Sequence, residues 1–182
     1  MTESDVEGRV REEFEAAGRR VIFRYPKADD VAQFIPMHDT LTAEQVMCTR
    51  FTFTGPKAEV RIQEMLRAIR AGNRRDILVE VDGALCGYGH AQRSGYKYCT
   101  VGLALVSAVG GIGIGTALMR HLEEESRELG AERLYLDVWS ANPAAIHVYT
   151  KLGYREVGRR PGWVRLDNGE EADLIEMVKP LT

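Results

Sequence analysis

Between Val101 and Met119 the chain passes from a run of apolar and β-branched residues, through a cluster of glycines, into an amphipathic stretch. This constrains the fold most, because a strand that must hand over to a helix through Gly110, Gly111, Gly113 and Gly115 commits the chain to an α/β connection. Glycines let the backbone turn tightly and bring its N–H groups close to an anion. The helix that starts near Gly115 aims the positive end of its dipole at the same spot. A pyrophosphate is the guest such a junction suits.

The residues around the junction narrow the choice of pyrophosphate. No Gly-Lys-Ser/Thr follows the glycines, so the lysine and hydroxyl that hold the terminal phosphates and magnesium of a nucleoside triphosphate are missing. The dinucleotide spacing Gly-x-Gly-x-x-Gly also fails, since its third position falls on Thr116 or on Leu118. About twenty residues on, where an acidic ribose ligand would end a second strand, the chain has only a helix end near Gly130.

A second pattern follows one helix later. Leu134 to Trp139 alternates like a half-buried strand, Asn142-Pro143 opens a helix as N-cap and first helical residue, and Gly153 closes it. Gly113-Ile114-Gly115, then Asn142, Ala145, Tyr149 and Gly153-Tyr154, together resemble the two signatures of the GNAT family of N-acetyltransferases, in the same order. At Gly110 the family has Gln or Arg. The resemblance covers roughly Val21 to Lys179 and is densest from Val101 to Glu156.

The resemblance implies an acyl-CoA N-acyltransferase fold: mixed α/β, with a mostly antiparallel central sheet of about six to seven strands flanked by helices. It implies acetyl-CoA as co-substrate and no metal. Gly110, Gly111, Ile112, Gly113, Ile114, Gly115 and Thr116 would hold the pyrophosphate. Leu103, Ala104, Leu105 and Val106 would lie along the pantetheine arm, pairing through the backbone, and Asn142 would bond the same arm. Tyr149 would protonate the departing sulfur, and His38, Asp39 and Glu44, in the segment that usually covers the acceptor, would face the amine. Many relatives carry a glutamate on the glycine-loop strand; here that position falls at or beside Cys99. A base reached through water is then expected, with Glu80, His90, Asp137 or a residue of 37–44 as candidates, while His121 and His147 read as exposed or structural.

Composition sets the outer bounds. With 182 residues and a formal charge of -3, the chain is of single-domain length and has no clustered cationic face for nucleic acid. No stretch approaches the ~20 apolar residues of a membrane span, and the N-terminus has no leader pattern, so a cytoplasmic protein is expected. Cys48, Cys86 and Cys99 are scattered, which suggests neither disulfides nor zinc.

Along the rest of the chain, Val6, Val10, Phe14 and Ala17 recur at three- and four-residue steps, predicting an extra N-terminal helix over 1–20 that packs on a 21–180 core or joins a homodimer contact. Arg20 to Tyr25 reads as a strand, and Pro36 is expected to end the first core helix at Ile35, leaving 37–45 irregular or as a second short helix. A helix from Thr54 should bury Val60, Met65, Leu66 and Ile69. Asp82-Gly83 and Ser94-Gly95 mark two hairpin turns, and a Gly-rich bend should separate strands at 155–159 and 163–166 before a last strand over 172–178. The function expected is acetyl transfer to a primary amine of a small molecule; a protein or peptide acetyltransferase and a non-catalytic acyl-CoA sensor are the alternatives.

Overall fold

Side-chain alternation builds a sheet around the two hairpins. In the computed structural model, which describes residues 6–45 and 52–181, Asp82 and Gly83 adopt φ of 51° and 85° and close the turn between β3 (Arg74–Val81) and β4 (Ala84–Gly95). β4 folds back on β5 (Tyr98–Leu105), but the turn lies at Tyr96-Lys97, beyond the expected Ser94-Gly95, and an irregularity between Arg93 and Gly95 takes up the difference. β5 leads through a 3₁₀ turn, Ser107–Val109, into α3 (Ile114–Glu128). β6 (Arg133–Trp139) leads into α4 (Pro143–Lys151), and β7 (Arg155–Arg165) and β8 (Glu171–Pro180) close the chain. The expected Gly-rich bend is a bulge inside β7, between Arg160 and Val164.

Residues 10–16 do not form the expected helix. Val10–Ala16 is β1, antiparallel to β2 (Arg19–Arg24) across a turn made by Ala17 at φ 50° and Gly18 at φ 75°. Phe14 and Ala16 are half-buried between exposed Glu13 and Glu15, a period of two that competes with the helical spacing. The Ala17-Gly18 turn and the open edge of β2 decide for the strand. The sheet therefore has eight strands, ordered β1-β2-β3-β4-β5-β6-β8-β7, and only β5 and β6 run parallel.

Two helices also depart from expectation. After a 3₁₀ turn at Ala28–Asp30, α1 (Val31–Ala43) runs straight through Pro36, so 37–43 is helical. Pro36 costs one bond to the carbonyl of Ala32, an exposed residue whose oxygen can turn to water, and the Thr40 hydroxyl donates to the Pro36 carbonyl at 2.9 Å. α2 (Gly55–Arg70) buries Ala58, Ile62, Met65, Leu66 and Ile69, but Val60 is 59% exposed. Val60 is two residues from both Ala58 and Ile62, about 200° around the helix from each.

The helices divide between the two faces. A side chain at Gly89 would run into Leu118 and Leu122, so α3 lies on that face. Its neighbour Tyr88 points the other way, 6.3 Å ring to ring from Phe34 of α1. α4 joins α3: Tyr149 packs on Tyr154, whose ring lies under the Lys179 ammonium, and Lys179 pairs with Glu123 of α3 at 2.6 Å.

A buried carboxylate ties the N-terminal hairpin to α3. Glu125, 1% exposed in its side chain, accepts from Arg11 Nε at 2.7 Å and lies 3.1 Å from Arg75 Nε, 3.3 Å from His121 Nε2 and 3.4 Å from the Tyr25 hydroxyl. Only the Arg11 and Tyr25 contacts have hydrogen-bond alignment. Burial alone would raise the Glu125 carboxyl, but His121 and Arg11 outweigh it and hold the group below the ordinary value. Removing the charge leaves Arg11 and Arg75 without their anion, so Glu125→Gln should cost about 3 kcal/mol in urea unfolding at neutral pH. A carboxyl lowered by folding stabilises the protein above its unfolded value near ~4.3, and that stability is lost as pH falls through the folded value. The gap between wild type and variant should close at acid pH; a constant gap would show that the cost is one of packing.

Candidate functional site

β5 and β6 hold together for only three residue pairs, Tyr98–Arg133, Cys99–Leu134 and Thr100–Tyr135. Beyond them β5 stays paired to β4 as far as Leu105, and β6 stays paired to β8 through Trp139. The two strands therefore diverge, and a wedge-shaped gap opens between Val101–Leu105 and Leu136–Trp139. Backbone N–H and C=O groups facing such a gap need partners from outside the sheet.

The wide end of the gap lies beside the glycine loop. Gly110 ends the 3₁₀ turn, Gly111 and Gly113 take φ of 75° and 90°, and Gly113 is the N-cap of α3. Nothing lies within 4 Å of where a Cβ would stand at Gly111 or Gly113, so these glycines are needed for backbone angle and leave open space outside. The first amide to close a helical bond is Ala117, to the Gly113 carbonyl, which leaves the amides of Ile114, Gly115 and Thr116 at the positive end of the dipole. Leu103 and Leu105 turn toward α3, where Leu105 approaches Gly115; Ala104 and Val106 are buried; Ile112 packs partly on the core. These residues fit a pyrophosphate with an extended arm.

Both second-signature residues belong to α4, which follows β6. Asn142 caps α4 through its side-chain oxygen, which accepts from the Ala145 amide at 3.0 Å. Tyr149, 5% exposed, lies 5.8 Å ring to ring from Tyr154 on the α3 side of the sheet.

The three acceptor-side candidates separate. His38 is buried in α1, where burial lowers its imidazole, and its ring stands 4.5 Å from that of Phe53. Asp39 is exposed. Glu44, the residue that caps α1, accepts from the Ser107 amide at 2.8 Å and from its hydroxyl at 2.6 Å, just ahead of the glycine loop. The next residue, Gln45, accepts from the Asp167 amide at 3.3 Å in the β7–β8 turn. The end of α1 is thus fastened to β5's end on one side and to the β7–β8 turn on the other. A cleft of about 610 Å³ between α1 and α2 has walls of Phe34, His38, Phe53 and Tyr88 with Arg61 and Glu64 at its rim. Sequence reading missed Phe34, Phe53 and Tyr88, which are far apart in the chain and carry no motif.

The base candidates also sort themselves. Glu80 is engaged by Arg24 at 2.9 Å, and Arg24 also grips Asp30. Cys99 is wholly buried on the α3 face, and burial raises its thiol, so it stays protonated and inert. His121 is structural, beside Glu12 and Glu125, whereas His147 is exposed. His90 stands against β5: a Cβ on Gly102 would lie 2.9 Å from its Cε1. Burial, then the positive charges of Arg74 and Arg61, push its imidazole down to about 3. Asp137 is exposed on β6 and accepts from the Tyr135 hydroxyl at 2.7 Å. Among the described residues no group of three His, Cys, Asp or Glu could hold a metal, and no helix is long and apolar enough to cross a membrane. Cys48 lies outside the described residues.

A parted sheet with a glycine-loop helix at its opening defines an acyl-CoA N-acyltransferase fold. Comparison with known proteins agrees: the Acetyltransferase (GNAT) family matches residues 40–154, and the chain belongs to that family. It is 36% identical over 90 residues to a streptothricin acetyltransferase of Streptomyces lavendulae, which covers 48% of each chain. It is 37% identical over 70 residues to the [Ribosomal protein bS18]-alanine N-acetyltransferase of Escherichia coli (strain K12), over 38% of this chain and 47% of that one. The matches thus span about half the length of these curated relatives. Among solved structures, yncA from Salmonella typhimurium, with its cofactor acetyl-CoA, superposes with a TM-score of 0.75 at 18% identity, covering 89% of this chain and 94% of that one.

The state of His90 can be tested directly. Its imidazole should show no NMR titration between about pH 5 and 8, where an unperturbed histidine titrates. A midpoint inside that window would mean water reaches the ring.

Proposed function

We propose that this protein is an acetyl-CoA-dependent N-acetyltransferase acting on a primary amine of a small molecule. The observation that carries the reading is the parting of β5 from β6 beyond Thr100–Tyr135, into a gap that widens toward the glycine loop. The amides of 111–116 bind the pyrophosphate, and the free edge of Leu103, Ala104, Leu105 and Val106 pairs with the amide-bearing arm, aided by Asn142. Bound there, acetyl-CoA supplies a thioester carbonyl to the gap. Tyr149, on the α3 side, holds the proton that the leaving sulfur takes up. Relatives of both kinds, a streptothricin acetyltransferase and a ribosomal-protein acetyltransferase, match part of the chain, and the cleft beside Tyr88 favours the small acceptor. β7 carries exposed Val157 and Trp163, the feature that favours a peptide acceptor as the second reading.

Three measurements test this. Acetyl-CoA and CoA should raise the melting temperature, whereas NAD and ATP at equal concentration should not. Gly113→Val should abolish the shift, because a β-branched residue resists φ of 90°; binding retained by that folded variant would move the phosphate site elsewhere. Turnover with a panel of metabolite amines and peptides separates the two acceptor readings, and no turnover of any amine would leave a CoA sensor. Tyr149→Phe keeps the ring packed on Tyr154, so acetyl-CoA affinity should hold while kcat falls about 10²-fold. Unchanged kcat with chemistry rate-limiting would make Tyr149 a packing residue.

A further inference from the structure

The narrow end of the gap carries a feature that the acetyl-CoA reading leaves unused. Thr100 and Tyr135 are the last paired residues, so two steps further along each parallel strand come Gly102 and Asp137, facing each other across the opening on the α1 side of the sheet. On the Gly102 wall the His90 ring fills the place of a side chain, and the positive charges that act on it, Arg74 and Arg61, lie behind it. The Asp137 wall carries a carboxylate.

On the strands of this face the other carboxylates are already matched among the described residues: Glu176 by Arg160, Glu80 by Arg24, and Asp76 by Arg74 at 2.7 Å. Asp137 has no cation within ion-pair distance among the described residues; its one bond is from the Tyr135 hydroxyl to Oδ1. Burial, and then Asp137 itself, raise the Tyr135 phenol, so it remains a donor to Oδ1 of Asp137. Gly102 lies about 13 Å along β5 from Val106, at ~3.3 Å per residue, so the seat is remote from the phosphate loop and close to where the arm would end. Below Tyr135 the same face hollows into a cavity of about 650 Å³ lined by Tyr96, Tyr98, Thr100 and Tyr135, with Lys97, Glu132 and Arg133 also on its wall, room for the body of a small molecule.

We propose that Asp137, held by Tyr135, is the seat of the acceptor's ammonium group and takes the proton of the attacking nitrogen, so that the acceptors are alkylamines that are cationic in solution. This rests on the acetyltransferase reading above and deepens it. The docked ammonium loses one proton to water at the exposed mouth and becomes a nucleophile. As the N–C bond forms, the nitrogen turns strongly acidic and its second proton passes to Asp137. As the C–S bond breaks, the sulfur takes the Tyr149 proton. Asp137 releases its proton to solvent and Tyr149 regains one from it, so an ammonium and a thioester give an amide, a thiol and one proton. Tyr135 is a positioning residue that acts through Asp137.

The test compares wild type, Asp137→Asn and Tyr135→Phe. With the best alkylamine of the panel, Asp137→Asn should lower kcat/KM about 10²-fold while the acetyl-CoA thermal shift is unchanged. Tyr135→Phe should raise KM several-fold with a smaller effect on kcat. The Asp137→Asn loss should shrink with aniline, which is neutral at pH 7 and needs no ammonium seat. Equal losses with both amine types, or less than a twofold loss with the alkylamine, overturn the proposal. A calorimetric arm separates it from the acetyltransferase reading. In the CoA-saturated protein 1,4-diaminobutane should bind wild type and lose at least tenfold in affinity with Asp137→Asn, even if no amine is turned over. Equal affinity, or no binding to wild type, overturns the seat while leaving the transferase reading to its own assay.

Discussion

The structure depends on one broken ladder. Strands pair about 4.8 Å apart, whereas packed helices keep their axes ~8–10 Å apart. β5 and β6 are parallel neighbours, and each leads into a helix on the same face, β5 through the glycine loop into α3 and β6 into α4. The strands stay in register only at their starts and spread toward their ends, where the two helices begin. The resulting gap exposes backbone groups of Val101–Leu105 that a closed sheet would have used. An extended, amide-bearing ligand can satisfy them with little regard to side chains, which is why Leu103, Ala104 and Leu105 need carry no chemistry of their own.

The remaining features are arranged around that gap. Glu44 and Gln45 fasten the end of α1 to both sides of its mouth, the Arg24–Asp30 pair anchors the start of α1 to β2, and Glu125 clamps α3 to the N-terminal hairpin. These are polar contacts between distant parts of the chain. The apolar core that fills both faces holds the sheet together, and the ionic ties decide how the surrounding elements sit over the opening.

The proposed chemistry divides by face. Tyr149 and the glycine loop approach from the α3 side, whereas His90, Asp137, Tyr135 and the Phe34–Tyr88 cleft lie on the α1 side. A group that reacts in the gap can be served from one side and leave toward the other, and neither side blocks the other. Glu80, an equal candidate on sequence grounds, is silenced because Arg24 already holds it, and Cys99 because it faces the packed interior.

Local rules made the Gly110–Gly115 junction, the Asn142 cap and the Asp82-Gly83 turn legible, because each depends on a backbone angle or an end-of-helix bond that only a few residue types supply. The sequence by itself determined those, together with the mixed α/β class and the family signatures. It misjudged Val10–Ala16, where helical and strand periods coexist and the open edge of β2 chose between them. It misjudged Pro36, whose penalty is small where the lost partner carbonyl is exposed. Only the tertiary structure decided which carboxylates remain unmatched and which aromatic rings share a wall, since Tyr88 meets Phe34, and Asp137 comes to stand opposite Gly102, through the placing of elements and strand register and not through spacing in the chain. Charge pairing and burial are properties of neighbours in space, and the neighbours come from how far β5 and β6 stay together before they part.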